Sequence, residues 1–190
     1  MTIKKIPKNV CDFIKKSSQI YSDHKEDFFS SDIYGEIKDL KITSPIEQIL
    51  YCALKTIRDT NFMENGDVFD LLPKDLFVVG LGIIPQIKTG KFRCDFQVYY
   101  GSNVFYKNNK LGQSKYKDVY VECDSQEFHE RTEEERRYEK QRDRYIQSNG
   151  GQILHFTGSE IVKDPYAVAS EVISFVTGID KDSLLSSVNI

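Results

Sequence analysis

The sequence predicts an α/β domain built on a mixed β-sheet flanked by helices, and three patterns predict it. Ile46, Ile49, Leu50, Ala53, Leu54 and Ile57 recur at helical spacing in "SPIEQILYCALKTIRDT". Phe92, Cys94, Phe96 and Val98 alternate with Arg93, Asp95, Gln97 and Tyr99, and "DVYVECD" alternates in the same way. Period two of this kind marks half-buried strands. A charged helical stretch then leads into the short apolar run "GQILHF" and a last amphipathic segment, "DPYAVASEVISFVTG". Together they give the order helix, strand, strand, strand, helix, strand, helix, with a helical extension at the N-terminus.

Each element carries its own local signals. Ser44 is a good N-cap for the first helix and Pro45 a good first residue. Strand material in "LFVVGLGIIPQIKTGKFRCDFQVYY" is punctuated by Gly82, Pro85 and Gly90. In "TEEERRYEKQRDRYIQSNG", Thr132 and Glu135 stand at capping-box spacing, acids fill the first turn and Gly150 closes the helix. Gly178 closes the last helix. Residues 1–43 read as an accessory segment with a short helix over "KNVCDFIKKSSQIY", residues 44–178 as the main domain, and residues 179–190 as a tail.

Composition excludes several functions. The chain has 190 residues, a formal charge of −3 and 39% hydrophobic residues, enough for one core. No apolar run approaches the ~20 residues of a membrane span, and the lysine-containing N-terminus has no apolar stretch of a signal peptide behind it. Cys11, Cys52, Cys94 and Cys123 form no C-x-x-C pair, so free thiols and a cytoplasmic location are expected. A mildly acidic protein is no general coater of nucleic acid, although local basic patches can still bind it.

The chemistry concentrates where the strands end. Glu122 and Asp124 share a strand face, since residues i and i+2 lie ~7 Å apart on one side, and Asp95 lies opposite the apolar set of its own strand. Pairing of the two strands would gather three carboxylates. Such a group repels itself and invites a cation, and oxygen ligands without a Cys/His cluster favour Mg²⁺ or Mn²⁺. Solvated acids on an edge strand are the bland alternative.

"SPIEQIL", "PQIKTGKFRCDF" and "VYVECDSQEFHERTEEERRYEKQRDRYIQSNGGQILHFTGSEI" occur in this order over residues 44–178. In this they resemble the endonuclease domain related to the very-short-patch-repair (Vsr) nucleases of the PD-(D/E)XK, restriction-endonuclease-like superfamily. The resemblance implies a restriction-endonuclease-like sheet and metal-dependent DNA hydrolysis, with the choice between DNA and RNA left open. It matches Asp95 and Glu122 to the metal-binding acids and the Cys123 carbonyl to a backbone ligand. Asp124 falls at the lysine position of E-x-K, where this branch often carries E-x-D. His129 matches a histidine that contacts the scissile phosphate or activates water, and Glu47 an acid that reaches the metal through water. Ser125 departs from the glycine usual after E-x-D, and no Cys/His set matches the structural zinc site of the repair enzymes.

Further residues have two readings each. Glu47 also stands at the capping-box position after Ser44, and His129 also fits a turn. Gln141 and Tyr145 form a Q-x-x-x-Y spacing seen in some of these nucleases, while Arg137 and Arg144 share a helix face with Gln141. Those arginines either face DNA or pair with surface acids. Lys107, Lys110, Lys115 and Lys117 fall in a polar connection, either a phosphate-contacting loop or a solvated one. Residues 1–43 are a candidate docking segment for a protein partner. His155 is read as ending a core strand. A nuclease-like fold that binds nucleic acid or a partner protein without cutting is the alternative to the enzyme.

Overall fold

The computed structural model describes residue 12 and residues 37–62, 78–103, 115–124 and 132–188. Helix α1 spans Pro45–Phe62, followed by strands β1 (Val78–Thr89), β2 (Phe92–Asn103) and β3 (Lys115–Asp124). Helix α2 (Glu133–Ser148), strand β4 (Ile153–Thr157) and helices α3 (Gly158–Lys163), α4 (Pro165–Thr177) and α5 (Lys181–Ser186) complete the described chain. The sheet order is β1-β2-β3-β4. The first two pairings are antiparallel and β3 with β4 is parallel. The mixed sheet and the expected order of elements are both present.

Helix α1 is more deeply placed than its amphipathic pattern implies. Every residue from Gln48 to Ile57 is buried, polar ones included. Several of those polar groups find partners, as burial requires, although Gln48 Oε1 and Asp59 Oδ2 have no hydrogen bond. Gln48 Nε2 donates to the Ile42 carbonyl at 2.9 Å, the Thr56 hydroxyl to the Cys52 carbonyl at 2.8 Å, and Lys55 pairs with Asp59 at 3.6 Å. Val98, Val119 and Val121 of the sheet close one apolar core with α1 and with Val172 and Ile173 of α4. Tyr51 stacks on Phe96 with ring centroids 6.5 Å apart.

The β1–β2 hairpin turns at Gly90, whose φ of 58° lies in the left-handed region that suits glycine. A Cβ there would also come within 2.6 Å of the Tyr145 hydroxyl. Helix α2 begins with the expected capping box, Thr132 accepting from the Glu135 N–H while Glu135 accepts from the Thr132 N–H. Gly178 takes φ 77° at the end of α4.

Some expected boundaries shift. Ile37 and Ile42, assigned to the accessory segment, are buried in the core, as are Leu184 and Val188 of the supposed tail. Their spacing is too short to announce a helix, but packing against α1 and α4 buries them. Two one-and-a-half-turn helices, α3 and α5, also escaped the periodicity. The α3 helix has its own capping box, Thr157 with Glu160. Strand β3 begins at Lys115, inside the stretch read as a polar connection. The helix expected over residues 8–21 lies, apart from residue 12, outside the described residues. None of the described helices is long and apolar enough to cross a membrane.

Candidate active site

The site lies where β1, β2 and β3 pass the start of α1. The β1–β2 ladder pairs Pro85 with Phe96 and Ile87 with Cys94, so Gln86 and Asp95 between them are left out of it. Gln86 has φ 54°, a conformation few residues other than glycine adopt. Strain of this kind persists only where surrounding structure enforces it. Here Gln86 Nε2 donates to Glu47 Oε2 at 2.6 Å, tying β1 to the first turn of α1. Asp95, on the opposite side of the same break, accepts from the Cys123 N–H at 2.8 Å through Oδ2. The break separates two packing partners of β2. Phe96 stacks on α1, while Phe92 meets Tyr138 and Tyr145 of α2 at 5.3 and 5.4 Å.

On β3, Val119 and Val121 enter the core and Glu122 and Asp124 turn to the other face, where α2 crosses. Glu122 is 6% exposed. Its Oε2 meets Arg142 of α2 at 2.7 Å, and its buried Oε1 has no hydrogen-bond partner. The Cys94 thiol beside it is too weak a donor to offset that burial. The parallel pairing sets Glu122 beside His155 and Asp124 beside Thr157. His155 Nδ1 is 3.2 Å from Asp124 Oδ2, and its Nε2 is 3.3 Å from Asp143 Oδ2. Asp143 also meets Arg142 at 3.5 Å. Glu122, Arg142, Asp143, His155 and Asp124 thus form a chain of alternating charges that leaves β3 and returns to it two residues later.

The acids bear on one another electrostatically. Burial pushes the Glu47 carboxyl up to about 7, with Asp95 adding to the rise and Arg93 and Gln86 opposing it. Burial likewise raises Glu122 to about 8, again with Asp95 adding, while Arg142, Cys94 and His155 pull down. Asp95 is raised by burial in spite of the Cys123 N–H, Arg142 and Arg93. His155 is raised chiefly by its bond to Asp124, and Asp143 reinforces this against burial and Arg142. Carboxyls held up in this manner mark negative charge that the protein does not fully compensate.

The structure therefore brings Glu47, Asp95, Glu122 and Asp124 into one electrostatic neighbourhood. His129 and Lys110 lie outside the described residues. Lys117 extends from β3 over the Phe175 ring, 4.2 Å from its centroid, and donates to the Phe175 carbonyl. Only the backbone of Lys115 is described, as the first residue of β3. Gln141 and Arg144 are exposed on α2. Arg137 pairs with Glu133 at 3.3 Å, the surface pairing given as its alternative, and Tyr145 of the Q-x-x-x-Y spacing packs on Phe92. Arg142, Asp143, His155 and Gln86 received no role from the sequence. A signal for His155 existed: alternation in Ile153–Thr157 sets it opposite Leu154 and Phe156, hence away from the core.

Among the described residues, no three His, Cys, Asp or Glu side chains converge as a ready metal-ligand set. Two carboxylates do fit a hard divalent ion. Mg²⁺ is commonly held by one or two carboxylates and completed by water and substrate phosphate. The buried Oε1 of Glu122, without a hydrogen-bond partner, fits such a ligand bond.

No family model, curated protein or solved structure matches this chain. The fold defines a mixed α/β domain, and this domain carries a cluster of buried carboxylates.

Proposed function

We propose that this chain is a metal-dependent endonuclease that hydrolyses phosphodiester bonds in DNA, of the Vsr-like PD-(D/E)XK type and serving defence or repair. One observation supports the reading: burial, with the Asp95 carboxylate adding, raises the proton affinity of both Glu47 and Glu122, and Glu122 Oε1 is buried without a hydrogen-bond partner. A protein gains nothing in stability from such an arrangement, so its value lies in what it binds.

Asp95, Glu122 and the Cys123 carbonyl would hold Mg²⁺ or Mn²⁺. When bound, the ion supplies a low-pKa water and charge stabilisation for phosphate and leaving oxygen. The chain's own residues prepare the place. The Cys123 N–H fixes Asp95, Arg142 fixes one oxygen of Glu122, and Gln86 turns Glu47 toward Asp95.

A second reading is a nuclease-like module that binds nucleic acid or a partner protein without cutting it. Its support is Arg142, which already neutralises part of Glu122. Incubation with supercoiled, linear and single-stranded DNA, and with RNA, in Mg²⁺, Mn²⁺ or EDTA separates the two. The enzyme cuts in the metals, stops in EDTA and loses activity in Asp95→Ala. Cleavage that persists in EDTA overturns the metal mechanism, and binding without cleavage in any metal favours the second reading.

A further inference from the structure

His155 extends the nuclease reading and rests on it. We propose that His155 is a positioning residue for Asp124, the acid at the lysine place of E-x-K, and that Asp143 anchors it from α2. Three features converge. The parallel β3–β4 register sets His155 beside Glu122, one strand away from both acids of E-x-D. Both ring nitrogens are engaged by carboxylates, Nδ1 by Asp124 at 3.2 Å and Nε2 by Asp143 at 3.3 Å. Nδ1 is in hydrogen-bond contact with Asp124, and Nε2 stands at ion-pair distance from the Asp143 carboxylate. Its work is therefore to hold Asp124 in one orientation. Around the ring stand three carboxylates, Asp124, Asp143 and Glu122, and one guanidinium, Arg142.

A lysine at position 124 would place its own cation in the site. Asp124 cannot, and His155 brings an imidazole to the same spot from the neighbouring strand. The Glu122–Arg142 pair sits at the other end of the same chain of contacts, so each acid of E-x-D has its own nitrogen partner. The two do different work. Arg142 is buried and braces the metal-side acid, whereas the His155 side chain is 35% exposed and faces the approach to Asp124.

Isosteric substitutions test this. An Asn side-chain amide occupies the place of Nδ1 and a Gln amide that of Nε2. His155→Ala is expected to lower kcat by ~10–100-fold with KM for DNA almost unchanged, the scale seen when outer-shell partners are removed. His155→Asn restores much of the loss through Asp124, and His155→Gln, reaching only Asp143, does not. Melting temperatures of all three variants separate this order from loss of fold. A readout without turnover is the imidazole ¹⁵N spectrum, in which Asp124→Asn shifts the Nδ1 resonance of His155. Equal turnover of Asn and Gln variants, or full turnover of His155→Ala, overturns the proposal while leaving the nuclease standing. A wild type that cuts nothing in any metal removes the nuclease reading and this one together.

Discussion

The two faces of the sheet solve the burial problem in opposite ways. Toward α1 and α4 the strands present Val98, Val119, Val121 and Phe96, all fully buried and apolar. Toward α2, β3 presents Glu122 and Asp124, nearly as hidden but ionisable, and held by Arg142 and His155. The first face draws its stability from area removed from water, which no particular partner has to supply. The second depends on specific partners, because a buried charge without one costs several kcal/mol.

The largest way to break the first face is Phe96→Ala. It removes the ring stacked on Tyr51 and should cost ~3–5 kcal/mol, as large core truncations do. Denaturant unfolding would show this, and a cost under ~1 kcal/mol would mean that the core is not closed there. On the second face, Arg142→Ala strands Glu122. The expected cost approaches ~3 kcal/mol at pH 8 and less at pH 5, where Glu122 takes up a proton instead. The double substitution Arg142→Met with Glu122→Leu should recover most of that stability and none of the activity, whereas a core truncation has no such rescue.

Proton linkage sharpens the contrast. Glu47 and Glu122 have folded pKa values of about 7 and about 8, above the ordinary 4.5. The folded state thus binds more protons than the unfolded state between these values, and stability falls as pH rises from about 4.5 through 8. His155, raised above 6.5 by Asp124, stabilises the fold below that value and loses its contribution as pH climbs through its folded pKa. All three groups therefore lower the melting temperature between pH 5 and pH 8. Glu122→Gln should flatten that slope, and Mg²⁺ at pH 8 should restore part of the lost stability in wild type only. A melting temperature flat over this range would show that the acids are solvated. The smallest effect belongs to Lys117→Ala, away from both faces. Loss of its contact with the Phe175 ring is worth ~0.5–1 kcal/mol, and an unchanged salt dependence of DNA binding would confirm that Lys117 holds α4 rather than phosphate.

Much of this was legible because it is local. The α1 pattern, the alternation of β2, the Thr132–Glu135 capping box and Gly178 each act within a few residues, and each appears where expected. Asp95, Glu122 and Asp124 were also legible, because a charge at the end of a buried strand is anomalous by itself. Three kinds of feature were not. Short helices such as α5 lack the length for a period, yet Leu184 is core. Lys117 reads as loop charge, but its ammonium sits over the Phe175 ring of a helix whose position the sequence does not state. Gln86 looks like an ordinary strand residue, and only the ladder break reveals its left-handed backbone.

By itself the sequence determined the longer elements and their order and singled out the candidate acids, since hydrophobic period, capping and strand alternation are written in neighbouring residues. Tertiary structure alone decided the partners of those acids. Asp124 meets His155 across 31 positions and Asp95 meets the Cys123 N–H across 28. Such pairings depend on register and on the path of α2 between two parallel strands. Arg142 is one charge among many on a helix that reads as solvated, and it becomes a buried counter-ion only because α2 crosses the sheet over Glu122. Local patterns cannot encode that crossing, because packing of the whole domain sets it.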